Sequence, residues 1–171
     1  LHGTPLLART EQMLMTLKGS ATERAEQIGR YIRRTHFYPG GGDAKAAGAL
    51  QWKLREENTG DTYLPALDVS EYLECYSSNT LFVHLCRRAG IPARLVVGDK
   101  IDGATNGKAR IDSGTGHAWT EIWDGAAWRR IDGTPPAKPE DQKKKKKGQQ
   151  QQGQSTPSDE ANDGGMENAD D

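Results

Sequence analysis

The chain has 171 residues, 34% of them hydrophobic, and a formal net charge of −1 at pH 7. No apolar run approaches the roughly 20 residues needed to span a bilayer, and no signal-peptide pattern is present. The near balance of charge argues against nucleic acid as the main partner.

The apolar deficit is local. From Lys138 onward the chain holds a five-lysine run (Lys143 to Lys147), a glutamine run (Gln149 to Gln152) and little else but Gly, Ser, Asn and acids. Such a segment buries too little apolar surface to offset its ordering entropy, so residues 138–171 are expected to be a disordered tail or linker. The tail carries 6 Lys and 8 acids, a net of −2, and the rest carries 17 Lys+Arg and 16 Asp+Glu, a net of +1. The lysine run reads as a solvated linker rather than a membrane or RNA contact. Residues 1–137 are long enough for one core and are read as a single domain. A chain that begins at Leu1 and ends in a linker-like tail points to a monomeric domain of a larger protein. Its compartment, cytoplasmic or cell-envelope, stays open.

In chain order, Thr22 to Thr35 reads as a helix. Ala25, Ile28 and Ile32, with Tyr31 alongside, recur at helical spacing, and Ser20 or Thr22 caps the start. Tyr38-Pro39-Gly40-Gly41-Gly42 stops it. Ala44 to Arg55 reads as a second helix ending before Asn58-Thr59-Gly60, and Asp61 to Val69 as a loop. Cys75 to Ala89 is the expected central helix, with Leu81, Phe82, Leu85, Cys86 and Ala89 as its apolar stripe. Gly90 ends it, and Arg87 and Arg88 suit its last turn. Ala93 to Gly98 reads as a strand, Gly107 to Gly116 as a polar connection, and His117 to Trp123 as an aromatic-rich strand. Asp124-Gly125 signals a hairpin, and Ala127 to Asp132 is the return strand. Helices first and an antiparallel meander after make the fold class α+β.

Two cysteines and four histidines, at 2, 36, 84 and 117, make neither a disulfide framework nor a zinc pattern. Eleven helical residues separate Cys75 from Cys86 by about 16 Å, too far to bridge. Cys86 falls on the apolar stripe and reads as a small core residue. Cys75 opens the helix, where free N–H groups and the dipole favour a thiolate; Glu74 beside it acts slightly in the opposite sense. A nucleophilic thiol needs a base and a group to orient that base. If Asp124-Gly125 is a two-residue turn, Trp123 pairs with Ala126 and paired numbers sum to 249. His117 and Asp132 then stand opposite each other on one face, their Cβ atoms about 4.5–5.5 Å apart. Trp119 shares that face. Taken singly, each of Cys75, His117 and Asp132 has an ordinary structural explanation; the joint arrangement is what points to catalysis.

These residues resemble the transglutaminase-like superfamily. Cys75, followed by Leu81 to Arg94 (Leu-Phe-Val-His-Leu-Cys-Arg-Arg-Ala-Gly-Ile-Pro-Ala-Arg), is similar to its cysteine helix. Gly116 to Trp123 is similar to its histidine strand, and Trp128 to Pro135 to its aspartate strand. The resemblance covers roughly residues 71–136. It implies a papain-like core with Cys75 as nucleophile, His117 as base and Asp132 as orienter. Two departures stand out: Leu73 where many relatives have glycine, and Asp132-Gly133-Thr134 where Asp-Pro-Thr is common. Weaker candidates for oxyanion or substrate contact are Trp52, which reads more readily as a core aromatic, and Trp119. Arg94 reads as the partner of an edge acid. The implied chemistry is acyl transfer on amide or peptide bonds of a protein or peptide substrate, as a protease or amidase or as a transglutaminase, with hydrolysis favoured and the choice left open by the sequence, and with no metal and no organic cofactor. The competing readings are a non-catalytic peptide- or cell-wall-binding module on the same fold, and a thiol-independent structural domain of a larger envelope or membrane protein.

Overall fold

The computed structural model describes residues 5–41, 44–101, 106–109, 111 and 115–140. The expected disordered tail lies almost wholly outside them. The described residues form five α-helices, α1 (Ala8–Thr16), α2 (Ala21–Thr35), α3 (Ala44–Glu57), α4 (Tyr63–Val69) and α5 (Cys75–Arg88). Three strands follow, β1 (Ala93–Asp99), β2 (Gly116–Trp123) and β3 (Trp128–Ile131), in one antiparallel sheet ordered β1-β2-β3. The α+β class holds. Among these residues no helix is long and apolar enough to cross a membrane.

Local chemistry sets the helix ends. Ser20 caps α2 in a reciprocal box with Glu23, satisfying two first-turn N–H groups. Ala25, Ile28 and Ile32 then fall on one buried face. At the end of α5, Gly90 takes a φ of 72°, a left-handed conformation that glycine adopts without strain. The Asp61–Val69 segment is not a loop: a short 3-10 turn (Gly60–Thr62) leads into α4. Pro65 sits in the first turn of α4, where its missing N–H would have had no partner anyway.

α5 is the centre of the core. Leu81, Phe82, Leu85 and Cys86 are fully buried on it and pack with Ile28 and Ile32 of α2 and with Ile122 of β2. Each such side chain stabilises by roughly 1.5–3 kcal/mol. β2 alternates cleanly: Ala118, Thr120 and Ile122 face the core, while His117, Trp119 and Glu121 face the other way. The short stretch Phe37–Tyr38 ties the two ends of the site region together. Phe37 exchanges backbone hydrogen bonds with Glu71 and Leu73, and the Tyr38 N–H donates to Pro136 O. A buried carboxylate, Asp68 on α4, accepts from the Leu7 N–H and the Thr10 hydroxyl, holding α1 in place.

Two histidines are buried. His36 donates from Nδ1 to Ser70 O at 2.7 Å, and among the described residues the Nε2 atoms of His36 and His84 have no partner. Burial lowers the pKa of both. Asp68 opposes the shift at each, while Arg9 adds to it at His36, and Arg88 and Arg87 add to it at His84. The unfolded chain therefore binds more protons below the ordinary histidine pKa of about 6.5, so stability is full above that pH and falls as pH drops. The melting temperature should fall between pH 7 and pH 5. His84→Leu should flatten that slope, and a melting temperature equal at both pH values would contradict the assignment.

Candidate active site

Cys75 is the first residue of α5, and Glu74 is its N-cap. The Glu74 carboxylate, only 3% exposed, accepts from the Tyr76 and Ser77 N–H groups at 2.6 Å each. Its own carbonyl takes the Ser78 N–H. The Cys75 N–H has no hydrogen-bond partner among the described residues. Glu74 thus satisfies the first turn and leaves one donor directed from the residue that carries the sulfur.

His117 begins the outward-facing row of β2, and Asp132 follows the last residue of β3. His117 Nε2 lies 2.6 Å from Asp132 Oδ2. The two share a face, but not by the expected register. The turn holds four residues, not two. Asp124 Oδ1 captures the Ala126 and Ala127 N–H groups at 2.8 and 2.7 Å, and Gly125 takes a φ of 106°. Trp123 consequently pairs with Trp128, so paired numbers sum to 251 rather than 249. Because the slip is two residues, every side chain keeps its face. His117 and Asp132 meet diagonally, a separation two leaning side chains can close. Asp132 Oδ1 is anchored by the Thr134 hydroxyl at 2.6 Å and the Thr134 N–H at 2.9 Å. Burial alone would raise the Asp132 pKa, but these hydrogen bonds and the one to His117 outweigh it and hold it below the usual carboxylate range. An ionised Asp132 requires Nε2 to carry the proton, which leaves Nδ1 as the basic nitrogen of His117.

The thiol departs from expectation. Burial first, then the Glu74 carboxylate, push Cys75 up to about 11. The backbone N–H groups of Ala118 and Tyr76 pull the other way without prevailing. The favourable helix start is taken by Glu74, not by the sulfur. Asn79, one turn along α5 from Cys75, donates to Ala118 O at 3.0 Å, which sets the start of α5 against the residue that follows His117. Tyr38 lies on the same side: burial, then the Cys75 and Glu74 charges, push its phenol up to about 12.

Trp119 stacks beside His117, ring centroids 6.3 Å apart at 25°, over Gly98, whose missing side chain makes the room. The Arg130 guanidinium lies over the Trp119 ring at 4.4 Å, and the indole N–H points to Glu121 at 3.4 Å. Trp52 is not a core aromatic: it is 66% exposed on α3. Arg94 pairs with Glu121 at 2.7 Å. Cys86 is fully buried. Sequence reading missed three site residues: Tyr38, the capping role of Glu74, and Asn79. Asn79 carried a usable signal, being a polar residue one turn beyond Cys75 on the stripe of Phe82 and Cys86. Among the described residues no three His, Cys, Asp or Glu side chains gather into a metal-binding group. Two cavities among the described residues, about 290 and 280 Å³, lie beside the site and not on it. One runs along α5 from Tyr76 to Arg87, and the other lies between Pro39 and Tyr72.

Residues 10–133 match the family described as "Transglutaminase-like superfamily". A search of curated proteins gave no match. Among solved structures, a TGase is similar at 19% identity and a TM-score of 0.48, over 74% of this chain and 31% of that one. The periplasmic domain of TgpA from Pseudomonas aeruginosa is similar at 22% identity and a TM-score of 0.38. The alignment covers 76% of this chain, or 72% for the ethylmercury-bound form, and 48% of the TgpA chain in each case. The chain therefore spans a third to a half of the length of these structures.

The Glu74 charge has a direct readout. Glu74→Gln should move the pH midpoint of Cys75 alkylation by iodoacetamide downward, because the like charge is gone. It should also lower stability by roughly 1–3 kcal/mol, since the NH2 that replaces one carboxylate oxygen sets a donor against one of the two N–H groups. An unmoved or higher midpoint would show that Glu74 does not hold the thiol up.

Proposed function

This chain belongs to the transglutaminase-like superfamily, and on that premise we propose that it transfers acyl groups from amide or peptide bonds through a thioester on Cys75. The observation that carries the reading is the 2.6 Å His117–Asp132 bond, which leaves His117 Nδ1 free to act as a base beside the first turn of α5. Cys75 Sγ bonds to the carbonyl carbon as His117 takes the thiol proton. The carbonyl π electrons move to oxygen, and the Cys75 N–H is the natural donor to that oxyanion. The C–N bond then breaks, the leaving amine takes the proton from His117, and a thioester remains. Water gives a proton to His117 as it attacks, the C–S bond breaks, and the released thiolate regains a proton. An acceptor amine in place of water would make the same steps a transamidation. We favour hydrolysis, because water is always at hand whereas an amine must be bound. The substrate is then a protein or peptide, and the chain acts as one domain of a larger protein. Trp119 shields the imidazole from solvent.

A second reading, a binding module without catalysis, is favoured by the thiol near 11, a position suited to an inert cysteine. Turnover of a peptide-amide library separates the two. Cys75→Ala and His117→Ala should each lower it by roughly 10³–10⁶-fold, and Asp132→Ala by about 10²–10⁴-fold. Turnover that survives Cys75→Ala would exclude the thioester route.

A further inference from the structure

We infer that Asn79 is a positioning residue, its side-chain amide fixing the His117–Asp132 pair against Cys75. This rests on the acyl-transfer reading above. Asn79 is fully buried on α5. A buried amide group left unpaired is costly, so every atom of it needs a partner. Asn79 Nδ2 donates to Cys75 O at 2.8 Å and to Ala118 O at 3.0 Å. It also lies 3.3 Å from Asp132 Oδ1 and from Thr134 Oγ1. Asn79 Oδ1 accepts from the Gly133 N–H at 2.9 Å and the Thr120 hydroxyl at 3.0 Å.

The partners fix the orientation of the amide. Gly133 N–H only donates, while Cys75 O and Ala118 O only accept, so a flipped amide would set donor against donor and acceptor against acceptor. With two protons on Nδ2, the two carbonyls take the short bonds and the 3.3 Å contacts are secondary. Three parts of the chain thus meet on one side chain. They are the first turn of α5 at Cys75, β2 next to His117, and the segment carrying Asp132. Gly133 is built for this approach: a Cβ there would lie 2.7 Å from the Phe82 ring and 3.3 Å from Asn79 Oδ1. Its N–H is also one that proline could not supply. Asn79 touches no reacting atom and acts through geometry.

The test is a double-mutant cycle on iodoacetamide alkylation at pH 7.5, which needs no substrate. Cys86 is fully buried, so the rate reports Cys75. His117→Ala should slow alkylation about tenfold in the native chain and less than about twofold in Asn79→Ala, because the pair is already misplaced. A purely structural role would lower the melting temperature yet leave the His117 effect intact, and that result overturns the inference. If Asn79→Ala does not fold, Asn79→Ser decides. Its hydroxyl can donate to Cys75 O four residues back and hold the helix, while the links to β2 and Gly133 are lost. A collapsed His117 effect there supports the inference, and an intact one overturns it. If His117→Ala has no effect in the native chain, there is no pair to position and the inference falls. If the cycle behaves as expected but no peptide amide is turned over, Asn79 stands as a positioning residue and the acyl-transfer reading alone fails.

Discussion

At the N-terminal turn of α5 the side chains of Glu74, Ser77 and Ser78 are buried, so the polar groups there have to be satisfied by protein. That constraint decides most of what surrounds Cys75. An uncapped helix start would offer three N–H groups and a positive field to a nearby thiolate. Here a buried carboxylate already takes the second and third of those N–H groups. The field of the turn is answered by Glu74 before the sulfur can use it. A dipole argument made from the position of the cysteine alone therefore gives the wrong sign. The decisive quantity is which anion occupies the cap, and the nearest one wins.

The hairpin obeys a different constraint. Its strands are half-buried, so the pleat dictates which residues face the core: the shared face of His117 and Trp119 was legible from the alternation, and the structure puts Ala118, Thr120 and Ile122 on the core side. Register along the strand was not legible, because it depends on how many residues the turn consumes. Asp124-Gly125 marks the place correctly. The carboxylate of Asp124, held down to about 2 mainly by Arg129 and by the two N–H groups it captures, enlarges the loop to four residues. An even change in loop length preserves the faces, which is why the His117–Asp132 contact survives an error in the pairing.

Elsewhere, legibility follows the strength of the periodic signal. α2, α5 and β2 show clear apolar spacing and lie close to where the sequence puts them. α4 has seven residues with a proline among the first three, too short a span for periodicity to outweigh Gly60 and Pro65. α1 buries one residue, Thr10, and is held by hydrogen bonds to Asp68 from a distant element, so nothing local announces it. Tyr38 and Asn79 were missed for a related reason. Each is placed by long-range partners: Pro136 and Ala137 for Tyr38, and β2 and Gly133 for Asn79. The glycine at 133, visible in the sequence only as a departure from a common pattern, gains its meaning once the Asn79 oxygen is seen opposite its N–H.

The electrostatics of the site bear on how the proposed chemistry would run. A resting thiolate–imidazolium pair in a half-buried site must offset the desolvation of two ions, and a fixed carboxylate beside the sulfur makes the anion costlier still. A neutral thiol and a neutral imidazole avoid that cost. Charge then separates only as the carbonyl is attacked, when the negative charge moves off the sulfur to an oxygen that the Cys75 N–H can meet. The positive charge on His117 is answered by Asp132, which is already ionised and anchored by Thr134. On this account the buried acid at position 74 does not disable the nucleophile. In the proposed chemistry it would defer the thiolate to the moment of attack, so that the site would work as a general-base system like a serine triad rather than as a preformed ion pair.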